Sequence, residues 1–497
     1  MAALLRGKSG AITAGLVGYL FFVEFVSGIL QGYYIPLIPD LARYLEIDDP
    51  DFNWFEAAQL LLSALVVPIL AKLGDMVGHK KILLISTVLT AGASWWLVFA
   101  ADFWSFLAAW ALQGFYVVWL PLEVALIFDR GRATGRGASA TRRAAGLLVV
   151  ALEAGAIAGA LGGARVFEAF GGNIPLTLSL PAIAVTAAFF VIWFGVPESQ
   201  PVSGRRLDTI GFTLLTLSLL TITSGLAFLR INGPDAWWVY LVIVVGLALL
   251  YPFGRWVLGH PDPAIDLRVL RRPDMWPVQL VAGLFGISVL GAQAPLASFA
   301  GTPTEAGYGL GLDASDISTI IGVYLIGMII GAGLFSATAR RVPPRAQLIV
   351  ATALVALGYL MFLPFHYSAL QVIINMAVAG IGSGALVAAL PAAAAAAAPL
   401  GQTGIATGLT NTTKTIGGSF ASAVFAIVVV YVGTQSIVST AGTYAGYLTV
   451  FAICGVSALI GMLLLAFVPK LAFRDPVAVD ETAATEAAAE PTPDARA

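Results

Sequence analysis

The sequence predicts an all-α integral membrane protein, and three observations carry that prediction: its composition, the length of its apolar runs and the alternation of its loop charges. Of 497 residues, 59% are hydrophobic and 11% charged, with a mean hydropathy of +0.90. Soluble domains average roughly 45–50% apolar and about 25% charged residues, so the surplus apolar surface must face lipid. The net charge of −2 says little as a total; its distribution along the chain says more. The single cysteine, Cys454, lies in an apolar run, which excludes an intramolecular disulfide and a cysteine-built metal centre. His79, His260 and His366 stand far apart with no ligand spacing, so neither a metal nor any other cofactor is expected.

A hydrocarbon core about 30 Å thick takes roughly 20 apolar residues per helix. That length divides the chain into about fourteen spans, at roughly 11–35, 54–74, 82–100, 104–128, 144–165, 174–196, 208–230, 236–258, 275–298, 315–337, 346–364, 369–397, 404–432 and 444–468. Arg6 and Lys8 precede the first run, as in a signal peptide. The run then continues for about twenty residues with no small-x-small cleavage site, and is read as the first membrane helix.

The loops test this count. Lys80 and Lys81 follow span 2; Arg130, Arg132, Arg136, Arg142 and Arg143 follow span 4; Arg205 and Arg206 follow span 6. Arg255, Arg268, Arg271 and Arg272 follow span 8; Arg340, Arg341 and Arg345 follow span 10; Lys470 and Arg474 follow span 14. The alternate loops hold only Arg43, Arg165 and Arg230. Cations accumulate on the cytoplasmic side, so both termini are expected there, in the plasma (inner) membrane. The first external loop, 40–56, holds Asp48, Asp49 and Asp51 and reads as a solvated rim. The tail after Arg474, rich in Ala, Glu, Pro and Thr, is expected to be disordered.

Between spans 2 and 3 the chain reads Leu73-Gly74-Asp75-Met76-Val77-Gly78-His79-Lys80-Lys81. An acid, a glycine three residues on and a basic pair resemble the cytoplasmic motif of the major facilitator superfamily. Asp75 is suited to bond helix N-terminal amides or an arginine, and Gly78 permits a tight turn. Span 5 carries Gly155, Gly159, Gly162 and Gly163, similar to the family's antiporter motif with Ala160 in place of the proline. Glycines four apart share a helix face and let two backbones approach, which ordinary helix packing also uses. Asp266-Leu267-Arg268 with Arg271-Arg272-Pro273, and Asn411 to Gly418, look like the linker before span 9 and the polar-then-glycine pattern of span 13 in the fourteen-span drug:proton antiporter branch.

The resemblance covers nearly the whole chain. It implies two six-helix bundles, 1–200 and 263–474, an inserted helix pair at 201–262, and a cytoplasmic tail at 475–497. It implies transport of a small molecule, with Asp75, Gly78, Lys80 and Lys81 in gating. Two positions depart from the branch: Ser27 stands where an Asp is usual, and Trp110 where a buried arginine is usual. Gln113-Gly114 keeps the family pattern in span 4.

Charges inside a span are expensive and usually face a cavity or pair. Glu24 in span 1, Glu123 in span 4, Glu153 in span 5 and Lys414 in span 13 are the candidates. Glu24, Ser27, Gly28 and Gln31 share one helical face, which is expected to line the central cavity. Burial disfavours a carboxyl's charged form, the property a proton carrier needs, so Glu24, Glu153 and Glu123 are the proton-coupling candidates. Each has a structural alternative: a hydrogen bond to a neighbouring span for Glu24, an interfacial ion pair for Glu123, a structural partner for Glu153. Lys414 has the alternatives of snorkelling or pairing with an acid. Ser27, Gln31, Trp110, Gln113 and Lys414 are the substrate-cavity candidates, and Tyr33, Tyr116 and Trp119 are equally placed to face a cavity or lipid.

The expected protein is a secondary transporter exporting an amphipathic small molecule by alternating access, coupled to protons, working as a monomer in the bilayer. The alternatives are a facilitator or importer without proton coupling, and a scaffold with a decayed transport site. There is no phosphate-binding loop, no nucleophile–base constellation and no sign of a nucleic-acid partner, so an enzyme is not expected.

Overall fold

In the computed structural model the described residues are 14–132, 137–199, 207–261, 263, 265, 267–273, 275–338, 342–397, 403–433 and 442–467. The expected tail, 475–497, lies outside them. Among them the elements are all helical, and 13 helices are long and apolar enough to cross a membrane, with Arg345–Leu360 a shorter fourteenth. The spans are Ala14–Gly32 (1), Phe52–Val77 (2), His79–Phe99 (3), Phe103–Arg132 (4), Gly137–Ala169 (5), Ile174–Gly195 (6), Thr209–Asn232 (7), Trp237–Gly259 (8), Trp276–Gly301 (9), Ala314–Thr338 (10), Pro344–Leu360 (11), Ala369–Ala397 (12), Thr403–Tyr431 (13) and Tyr444–Phe467 (14). This is a multi-pass membrane protein.

Three spans are interrupted. Past Gly32, span 1 runs through a 3₁₀ turn at Ile35–Leu37 into the short helix Ile38–Tyr44. Span 4 tightens to 3₁₀ geometry over Gly114–Val118, and span 9 breaks between Val289 and Gln293. Prolines explain part of this: Pro36 and Pro39 sit in first turns, where no amide hydrogen is needed.

Spans 1–6 pack chiefly among themselves and spans 9–14 likewise, with spans 2 and 13 and spans 5 and 10 in contact across the two sets; each set is termed a bundle. In the first, span 1 packs along span 5, with span 6 behind it. The close approach rests on glycine. A Cβ on Gly28 would collide with the Leu152 carbonyl, and one on Gly155 with the Phe25 carbonyl. Gly159 and Gly163 continue the contact beside Ile29 and Tyr33, whereas Gly162 faces open space. The second bundle repeats the device: Gly286 of span 9 meets the Lys414 carbonyl, and Gly417 of span 13 meets the Gly283 carbonyl.

Spans 7 and 8 stand outside the bundles. Only 17% of span 8 is buried, against 67% of span 9, so span 8 is the most peripheral of the spans. Span 7 lies over the seam where spans 2 and 13 meet: Leu226 and Ala227 rest on Trp54 and Ala57 of one bundle and on Ala423 and Ala426 of the other. Arg230 at its end reaches Asp51 at 3.0 Å and Asp48 at 3.8 Å, while Tyr431 donates to the Arg230 carbonyl at 2.9 Å. The acidic loop expected as a solvated rim is thus partly engaged: Asp48 and Asp51 are counter-charges for span 7. Between spans 7, 8 and 13 lies an apolar cavity of about 410 Å³, lined by Leu219, Leu250, Phe253, Leu267, Leu409 and Ile416 among others.

Candidate functional site

The two bundles touch toward the end of the molecule that carries Asp48. There Ser419 donates to the Ala57 carbonyl at 2.7 Å and Ser318 to the Ala160 carbonyl at 2.7 Å. Gly301 lies against Pro39, Gly322 against Leu161, and Gly418 near Leu60. Closer to the basic end, Glu153 of span 5 and Lys414 of span 13 face one another across the bundles, near enough to interact electrostatically, yet they form no ion pair. Both retain accessible surface, as do Gln31 and Asn411. Tyr324 of span 10 also lies within the field of Glu153, with its buried hydroxyl beside that of Ser383 on span 12. Glu153, Lys414, Asn411 and Tyr324 therefore form a polar layer inside the membrane, drawn from both bundles.

The polar stripe of span 1 does not lie on an open wall as expected. Glu24 is fully buried, Ser27 is 4% exposed, and Gly28 is used against span 5; only Gln31 reaches accessible space. The reason is the closeness that Gly28 and Gly155 allow, which turns this face of the helix into the first bundle. Glu24 instead interacts with Glu123 of span 4, also fully buried. None of the four oxygens of these two carboxyls has a hydrogen-bond partner. The alternatives of a hydrogen bond for Glu24 and an ion pair for Glu123 are thus not realised among the described residues. Two carboxyls, one from span 1 and one from span 4, lie together inside the first bundle.

Trp110 and Gln113 are also interior to the first bundle. Trp110 stacks on Phe106 and meets Phe52 and Tyr34 edge-on. Gln113 donates to Tyr34 at 2.8 Å and to Ser94 at 3.0 Å. Trp119 and Tyr33 are buried likewise, and the Tyr33 hydroxyl donates to the Thr177 carbonyl at 2.8 Å.

Sequence reasoning missed Glu56, which it placed in the acidic loop. Span 2 begins at Phe52, so Glu56 lies one turn inside the helix, 8% exposed, with Oε2 unpartnered and its other oxygen bonded to the Ala294 amide of span 9. It joins the two bundles. The signal was available: Phe52, Phe55 and Leu60 put apolar residues at helical spacing on both sides of it.

At the basic end, Gly78 separates spans 2 and 3 at φ +112°, a conformation that side chains rarely adopt. The first amides of span 3 are capped from the chain leaving span 6: Ser199 accepts from the His79 amide at 2.9 Å, and Glu198 from the Lys80 amide at 3.0 Å. The Lys80 ammonium donates to the Trp193 carbonyl at 2.9 Å, and Lys81 is exposed. The side chain of Asp75 lies outside the described residues.

Two helical bundles that meet at one end and hold a polar layer between them inside the membrane define a transport protein. The chain matches the Major Facilitator Superfamily over residues 20–422 and again over 275–494, and it belongs to that family. It is a transporter, not an enzyme. It is 20% identical to the multidrug transporter protein MdtP of Bacillus subtilis over 84% of this chain and 74% of that one. It is 23% identical to the drug efflux pump JefA of Mycobacterium tuberculosis over 79% and 75%. Among solved structures it shares its fold with the POT family transporter PepTSo at a TM-score of 0.64 and 14% identity, covering 91% of this chain and 97% of that one. The human organic anion transporter MFSD10 gives 0.59 and 16% identity, over 91% and 99%.

Proposed function

We infer that this chain exports an amphipathic small molecule across the plasma membrane by alternating access, and that protons are exchanged at Glu24. By name MdtP is a multidrug transporter, which supports the substrate class, and JefA is a drug efflux pump, which supports the direction. The observation that carries the coupling is the Glu24–Glu123 pair: two buried carboxyls from spans 1 and 4 with no partner for any oxygen. Such a pair needs a proton to remain buried and gives it up when water enters. Glu153 is the second candidate, because it faces the gap between the bundles. The Gly78 turn, capped by Glu198 and Ser199, supports a gating role for Asp75, Gly78, Lys80 and Lys81 at the basic end.

Glu24→Gln mimics the protonated state. In inverted vesicles with an imposed pH gradient it should bind substrate yet lose gradient-driven uptake, and adding Ser27→Asp one turn away should restore part of that uptake. Full gradient-driven uptake by Glu24→Gln alone would move the proton to Glu153 or remove it from the mechanism. The second reading, a facilitator or importer without proton coupling, is favoured by Ser27 and Trp110, which stand where the branch usually carries charge.

In this reading both termini and the basic loops are cytoplasmic. Single cysteines at Ser139 and Gly233, in a Cys454→Ala background, should label from opposite faces of the membrane. Labelling of both from one face would overturn the orientation.

A further inference from the structure

A lysine inside a membrane span ordinarily snorkels to the interface or pairs with an acid. Lys414 lies too deep for the first, and it opposes an acid without forming an ion pair with it. Its carbonyl sits against Gly286, ten residues into span 9, or about 15 Å along the helix at 1.5 Å per residue. That depth exceeds the reach of a lysine side chain. No hydrogen bond or ion pair of its ammonium is found among the described residues, and the side chain keeps accessible surface. The charge it senses is Glu153, which belongs to the opposite bundle.

The groups around this ammonium are polar and able to donate hydrogen bonds. Asn411 lies one turn away on the same face and is partly accessible. Tyr324, within the field of Glu153, has its hydroxyl beside that of Ser383 on span 12, and the two hydroxyls interact with each other. Glu153 is the one carboxylate in the layer, and Lys414 already opposes it. Of the acids without a counter-charge among the described residues, Glu24 and Glu123 are sealed inside the first bundle, and Glu56 is buried against the Ala294 amide where the bundles touch, so a bulky solute cannot reach them. An anionic head group that displaces Glu153 would find the Lys414 ammonium, which makes no hydrogen bond among the described residues, with the Asn411 amide one turn away.

We propose that Lys414 is the head-group site for an anionic amphipathic substrate, an organic carboxylate or sulfonate, which takes the place of Glu153 as the counter-charge of the lysine. This rests on reading the layer between the bundles as the substrate path. A charge-assisted hydrogen bond away from bulk water is among the stronger polar contacts, and its loss is worth about tenfold in affinity.

The test uses the full chain in nanodiscs and three probes built on one pyrenebutyl group: the carboxylate, the neutral amide and the trimethylammonium. Binding is read by tryptophan-to-pyrene energy transfer, with empty nanodiscs subtracted. The wild type should bind the carboxylate about tenfold more tightly than the amide, and the trimethylammonium more weakly than either. Lys414→Gln should abolish the preference, and Lys414→Arg should keep it. Glu153→Gln, which removes the competing anion, should raise the ratio of carboxylate to amide affinity. Should Lys414→Gln not fold, Glu153→Gln decides the matter: a raised ratio supports the site, and an unchanged ratio overturns it. Equal affinities in the wild type, a preference for the cation, absence of saturable carboxylate binding, or a preference that survives Lys414→Gln also overturn it. These affinities are measured without a gradient. A cation preference alongside intact gradient-driven export would defeat the anion site alone, and lost coupling alongside an intact anion preference would defeat only the proton mechanism.

Discussion

In the first bundle Gly28 of span 1 meets the Leu152 carbonyl of span 5, and Gly155 meets the Phe25 carbonyl. In the second, Gly286 of span 9 meets the Lys414 carbonyl of span 13, and Gly417 meets the Gly283 carbonyl. Both pairs of contacts are offset by three residues on each helix, so the two interfaces share one register. That register places Gly28 over Gly286 and Leu152 over Lys414. It follows that Glu24 corresponds to Ala282, and Glu153 to Thr415. The two halves agree where backbones must touch and disagree where charge is placed: one buries an acid where its counterpart has a methyl group, and the other exposes an ammonium where its counterpart has leucine. The shared register builds the frame, and the chemistry sits in the departures from it.

The comparison can be broken most forcefully at the shared contacts. Gly28→Val and Gly286→Val each force a side chain into a carbonyl of the neighbouring helix, and each should destabilise the protein by about 2–3 kcal/mol or prevent folding. Thermal unfolding followed by Cys454 thiol exposure measures this, since that residue is buried in the second bundle. Similar losses in both halves support equivalence; tolerance at one site alone would show that the registers are not equivalent. A smaller effect, of opposite sign, is expected at the asymmetric position. Glu24→Leu removes a buried carboxyl that has no hydrogen-bond partner and should stabilise the protein by about 1–3 kcal/mol while removing gradient-driven transport. A fall in stability would mean that Glu24 supports the first bundle.

Much of the frame was legible because lipid imposes a simple rule on helix length and loop charge. The spans fall near their expected positions, and the glycines of span 5 could be read as a packing face, although Gly162 lies off it. Depth and facing were harder to read. Periodicity showed that Glu24, Ser27, Gly28 and Gln31 share a face, but not that Gly28 turns most of that face into the bundle; this depends on a partner about 120 residues away in the chain. Glu56 was hidden for a related reason, because a run of aspartates just ahead of it resembles a loop that continues past the true start of span 2. Arg230 looked like a stray cation until folding set it beside Asp48 and Asp51.

The cavity between spans 7, 8 and 13 bears on how the halves move. Span 7 is tied to the seam at one end by Arg230 and along its length by leucines that rest on both bundles, so a rigid fit would resist any parting of spans 2 and 13. A void of about 410 Å³ with an almost wholly apolar lining behaves instead as an expansion joint. Apart from Thr412 and Thr413 its lining is apolar, so a change of its width would rupture few polar contacts. In the alternating-access reading, the inserted pair would then act as a sliding cover over the seam between spans 2 and 13.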